Sequence, residues 1–150
     1  MKSKSDFPSL NERQSEGLKP SGRPYRVMVV EGKDFQRKLI AQILESEQYE
    51  IVATAENGKE ALEKIESVGK DLDLITTDLD MPVLDGYAML YELKQKKNNA
   101  LVVFISDDTT KGVMKDLISM GIGDFILKPI DRRMILQRIK SALLKANKDK

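Results

Sequence analysis

The 150-residue chain has no cysteine, no histidine and no tryptophan. Without cysteine there is no disulfide framework, thiol nucleophile or thiolate metal site, and without histidine no imidazole base, ligand or phosphocarrier. Any chemistry must use Asp, Glu, Lys, Ser, Thr or Tyr. A dominant charge is also lacking: 25 Lys and Arg face 24 Asp and Glu. That balance leaves no broad cationic field, so nucleic acid is not an expected partner. No window approaches the ~20 apolar residues that span a bilayer, and none resembles a secretion signal, so no membrane association and a cytoplasmic location are expected. What the chain does have, 41% apolar and 33% charged residues, is the composition of one folded domain with a real core.

Residues 1–24 hold five Ser, three of the five Pro and two Gly without a sustained period. They read as a disordered N-terminal tail, with a folded part over 25–146 and a frayed end at 147–150. From Tyr25 onward, short apolar runs alternate with segments of helical period, the pattern of a parallel sheet covered on both faces. The strand candidates are residues 26–30, 50–55, 72–77, 101–106 and 124–127. The first and fourth, apolar almost throughout, are expected to be central. Helical stripes lie between them, among them Phe35, Leu39, Ile40, Ile43 and Leu44, and near the end Met134, Ile135, Ile139, Ala142 and Leu143. Asp34 and Asp131 are expected to cap the first and last helices, and Asp85 the third. The fold class is therefore α/β, a doubly wound (βα)5 domain.

In an open parallel sheet, ligands bind beyond the carboxyl ends of the strands. The first strand ends at Glu31-Gly32, the third at Asp78-Leu79-Asp80-Met81-Pro82, the fourth at Ser106-Asp107 and the fifth at Lys128-Pro129. One edge thus collects acids, a hydroxyl and an ammonium. A carboxylate there can attack phosphorus if cations neutralise the repulsion between two anions. Mg2+ held by carboxylates supplies one and a lysine the other. Glu31, Asp78, Ser106 and Lys128 contain these roles. A cis bond before Pro129 would aim the ammonium back over the strand tips.

Asp-x-x-Met-Pro-x-x-Asp-Gly at Asp78 to Gly86, the strand-four hydroxyl Ser106 and the pair Lys128-Pro129 resemble the receiver domain of two-component response regulators. The likeness is strongest to the free-standing, CheY-like chemotaxis type, a standard example of the doubly wound fold. It covers about four fifths of the chain and implies a sheet order 2-1-3-4-5 with helices on both faces. By the resemblance, a histidine kinase phosphorylates Asp78. Glu31, Asp78 and the backbone carbonyl of Asp80 hold Mg2+, and Lys128 pairs with the phosphate. Ser106 and Phe125 act as the switch, Phe125 turning inward after phosphorylation. A downstream protein then reads helix four, strand five and helix five.

Two departures stand out. Receivers carry two adjacent acids after strand one, and here the second is Gly32, so a weakened Mg2+ site is expected. Lys33 adds a positive charge beside it. The residue after the switch hydroxyl is the acid Asp107, which can oppose a phosphodonor or supply the missing ligand. Asp80 occupies a position that modulates phosphoryl lifetime in the family. The alternatives are a degenerate receiver that binds partners without phosphate and a haloacid-dehalogenase-like phosphatase. Against the phosphatase, the Asp pair follows the third strand and no loop is long enough for a cap. The expected protein is a signalling switch and not an enzyme.

Overall fold

The sheet forms because alternate residues of each strand feed two different cores. The computed structural model describes residues 15–68, 70–107, 110–146 and 148. Five strands, β1 (Arg26–Val30), β2 (Glu50–Ala55), β3 (Leu74–Thr77), β4 (Leu101–Ser106) and β5 (Asp124–Leu127), pair in parallel in the order β2-β1-β3-β4-β5. They alternate with α1 (Asp34–Glu45), α2 (Gly58–Val68), α3 (Gly86–Gln95), α4 (Lys111–Ser119) and α5 (Arg132–Lys145). Val27 and Val29 of β1, Val103 and Ile105 of β4 and Ile126 of β5 join Ile40 and Leu44 of α1 and Ile135 and Ile139 of α5. The intervening residues Met28, Val30, Val102, Phe104 and Phe125 join Met89, Leu90 and Leu117 from α3 and α4 on the other face. The doubly wound (βα)5 expectation and the order 2-1-3-4-5 hold. β1 and β4 are both interior, flanking β3, which is the central strand.

Local chemistry sets the helix ends. Asp85 and Asp131 accept hydrogen bonds from the amides of Ala88 at 2.8 Å and Met134 at 3.1 Å, as expected of caps. Asp34 is not a cap. Lys33 holds that position without a side-chain hydrogen bond, and Asp34, the first helical residue, pairs with Arg37 one turn on. Gly86 is forced by packing: a Cβ there would stand 2.3 Å from the Asp78 carbonyl oxygen. That close approach brings the start of α3 against the end of β3. No helix among the described residues is long and apolar enough to cross a membrane.

The N-terminal segment differs from the expected tail. Residues 1–14 and the residues 147, 149 and 150 of the expected frayed end lie outside the described residues, but residues 15–24 form a strap on the domain. The Gly17 amide donates to the Glu47 carbonyl at 2.7 Å and its carbonyl accepts from the Tyr25 amide at 2.8 Å, while Leu18 and Pro24 form an antiparallel bridge. Tyr25 stacks on Tyr49 with ring centroids 5.9 Å apart, and the ammonium groups of Lys19 and Lys140 lie 5.7 and 5.1 Å from the Tyr25 ring. Backbone hydrogen bonds, the Lys19–Asp73 ion pair at 3.3 Å and the Lys19 ammonium over the Tyr25 ring hold the strap, and none of these leaves a periodic signal in the sequence.

Candidate functional site

Because the strands are parallel, the residue that follows each one arrives at the same edge of the sheet. Glu31 follows β1, Asp78 follows β3, Ser106 ends β4 and Lys128 follows β5. The Lys128–Pro129 bond is cis. The Lys128 ammonium lies 2.9 Å from Glu31 Oε1 and 2.9 Å from Asp78 Oδ2. Glu31 and Asp78 are 1% and 3% exposed, and the Lys128 side chain 7%. Three ionised groups thus meet in a partly dehydrated pocket, where each interaction is stronger than in water. Burial pulls the Lys128 pKa down, but hydrogen bonds to Glu31 and Asp78 and their charges outweigh it, leaving the ammonium above its usual 10.5.

The remaining carboxylate oxygens are also engaged. Asp78 Oδ1 accepts from the Leu79 amide at 2.7 Å, and Glu31 Oε2 from the Lys33 amide at 3.0 Å. Lys33 therefore acts on Glu31 through its backbone, while its side chain is exposed. Ser106 is fully buried, and its carbonyl accepts from the Lys128 amide at 2.9 Å, locking the ends of β4 and β5 together. Asp80 and Asp107 are both exposed. Phe125 is buried, its ring stacked on Phe104 with centroids 6.0 Å apart and 6° between planes. Sequence reasoning missed Gln36, whose Oε1 also accepts a hydrogen bond from Lys128. A glutamine in the first turn of the helix after Glu31 was the only available signal.

The donor set suits a hard cation. Glu31 and Asp78 each bring an oxygen to one ammonium, so the pair brackets a cation-sized position with ligands Mg2+ prefers. Gly32 brings no donor, yet an added Cβ would meet nothing closer than 3.5 Å. Among the described residues, no cluster of three or more acidic side chains is placed to hold a metal.

A family profile described as the response regulator receiver domain matches residues 27–140. The chain belongs to the response regulator receiver family. Among relatives, this receiver is 42% identical to the chemotaxis protein CheY of Treponema pallidum over 143 residues, 95% of this chain and 99% of the relative. It is 35% identical to CheY of Bacillus subtilis over 119 residues, 79% of this chain and 98% of that protein. The fold also superimposes, with a TM-score of 0.83 and 33% identity, on a chain of the crystal structure of the CheX–CheY–BeF3–Mg2+ complex from Borrelia burgdorferi. That match covers 87% of this receiver and 98% of the other chain. The protein is a CheY-like receiver of two-component signalling, in a family of signalling proteins whose members bind Mg2+ and protein partners.

Proposed function

We propose that this receiver is a phosphorylation-dependent switch with Asp78 as its phosphoacceptor. The observation that carries this is the Lys128 ammonium, which lies 2.9 Å from the Asp78 carboxylate and 2.9 Å from Glu31, at the edge where Ser106 ends β4. An Asp78 oxygen attacks the phosphorus of a kinase phosphohistidine, the P–N bond breaks, and the leaving imidazole nitrogen takes a proton. Lys128 follows the negative charge onto a phosphoryl oxygen, and the Ser106 hydroxyl donates to another. Glu31, Asp78 and the Asp80 carbonyl would hold Mg2+, which when bound neutralises phosphoryl oxygens. With Gly32 in the second acidic position, that site is weaker than in receivers with two acids. The phosphodonor is a histidine kinase, and the receiver acts in the cytoplasm. The reader is a protein bound at α4, β5 and α5; that receivers of this kind engage protein partners is supported by the complex of CheY with CheX from Borrelia burgdorferi.

Radiolabel transfer from a phosphohistidine donor tests the acceptor. Labelling that requires Mg2+ and disappears in Asp78→Asn supports it; equal labelling in the variant overturns it. A second reading, partner binding without phosphate, is favoured by one observation. Gly32 stands where receivers carry a second acid, so the cation that phosphoryl transfer needs has one ligand fewer here. Partner affinity unchanged between the wild type and Asp78→Asn, with and without phosphodonor, would select that reading.

A further inference from the structure

Lys128 is bound more completely than phosphate recognition alone requires. An ammonium has three protons to donate, and three oxygens accept them: Glu31 Oε1 and Asp78 Oδ2, both at 2.9 Å, and Gln36 Oε1. The carboxylates are satisfied in turn, Glu31 by the Lys33 amide and Asp78 by the Leu79 amide. The ring of contacts therefore closes with the lysine as its only cation.

Gln36 is the member of that ring without an assigned role. It stands in the first turn of α1, half-buried. The turn itself is tied to the strand edge, because the Arg37 guanidinium donates to the Glu31 carbonyl at 2.8 Å and pairs with Asp34. The Gln36 amide oxygen is thus presented from a fixed element. Being neutral, it adds no charge to the pocket; it adds direction and a third acceptor. With it, the ammonium rests between Glu31 and Asp78, on the two oxygens that a divalent cation would need. Two cations cannot share that position without strong repulsion in a pocket this dry.

We propose that Gln36 is a positioning residue for Lys128: its amide oxygen parks the ammonium between Glu31 and Asp78, making the lysine the competitor that Mg2+ and an incoming phosphoryl group must each displace. The phosphoryl half rests on the acceptor reading above and the Mg2+ half on the metal site proposed with it, whereas the parked ammonium rests on neither. Loss of one hydrogen bond to a charged group weakens the parked state roughly tenfold.

The test compares the full-length wild type with Gln36→Met, which keeps chain length and removes the acceptor, and with Gln36→Glu, which restores an acceptor oxygen. Two quantities are read by NMR: the Mg2+ dissociation constant, from the Gly32 and Leu79 amides, and the Lys128 ammonium cross-peak, visible only while hydrogen bonds slow its exchange with water. In Gln36→Met, Mg2+ binding tightens roughly tenfold and the ammonium signal is lost; in Gln36→Glu the signal returns. Gln36→Ala makes the same deletion should methionine disturb α1. Mg2+ affinity within twofold of wild type and an intact ammonium signal in both deletions would overturn the proposal. Failure of the acceptor reading shows separately, as beryllofluoride leaving the wild-type Asp78 amide unmoved, and the Mg2+ and ammonium comparisons still decide the role of Gln36.

Discussion

Gly32→Asp asks whether the missing acid alone weakens the metal site. Sterically the change is mild: the new Cβ would lie 3.5 Å from the Glu56 carbonyl oxygen and from Pro82 Cδ, and 4.0 Å from Met81 Cγ. These are ordinary contacts, and losing glycine's freedom in the unfolded chain favours the fold by about 0.4–1 kcal/mol. The electrostatics oppose it when no metal is bound. Charges about 6 Å apart in an effective dielectric near 20 interact by nearly 3 kcal/mol. Two repulsions, from Glu31 and Asp78, outweigh one attraction to Lys128 by about that amount, and solvent at this half-buried position reduces the net to about 1–2 kcal/mol. The metal-free variant should therefore melt a few degrees below the wild type, or level with it. Saturating Mg2+ reverses the order, because a recovered ligand strengthens the site at least ~10- to 100-fold, about 1.4–2.8 kcal/mol. Thermal melts with EDTA and across a Mg2+ series, with calorimetric titration, provide the assay. A variant whose Mg2+ affinity stays within twofold of wild type would refute the reasoning.

Gly86→Ala drives a Cβ to 2.3 Å from the Asp78 carbonyl oxygen and 2.9 Å from Phe104 Cε2; it should cost more than ~3 kcal/mol in urea denaturation. The Tyr49 hydroxyl is buried, with no partner among the described residues, so Tyr49→Phe should gain about 1 kcal/mol at neutral pH. Burial first, then the charges of Glu16, Tyr25 and Glu47, push the Tyr49 phenol above its usual 10.0. The sign follows: the fold keeps the proton, so the phenol draws no pH-dependent penalty below pH 10, and the fold loses stability as the unfolded phenol ionises above it. Lys128, raised above 10.5 by its carboxylate partners against the pull of burial, loses its contribution as pH rises through its folded pKa. Denaturation curves from pH 8 to 12 should therefore fall less steeply for Tyr49→Phe and for Lys128→Met than for wild type. A parallel slope in either variant would remove that residue from the account.

Much of this molecule can be read from the chain because its strongest signals are local. Apolar runs at residues 26–30 and 101–106 need two covered faces, and alternate residues of β1 and β4 enter the two cores. The convergence of Glu31, Asp78 and Lys128 follows from parallel topology, since strand ends meet at one edge. What escaped was set by contacts distant in sequence or by competition between neighbours. Gly17 is held by backbone groups of Glu47, a pairing no composition reveals in a Ser- and Pro-rich stretch. Asp34 yielded the cap position because Arg37, one turn on, drew its carboxylate into an ion pair.

The packing of Tyr25 and of the last turns of α5 changes what counts as a complete folding unit. An excised fragment bounded at 27 and 140, where the family profile begins and ends, would discard Tyr25, which is entirely shielded from solvent, together with Ala142 and Leu143 at the far end of α5. Such a fragment would leave Tyr49 facing water where it now meets another ring, and would open the α1–α5 core at two places. For this receiver, a shortened recombinant form that aggregates would therefore report an injured interior, not a defect of signalling chemistry.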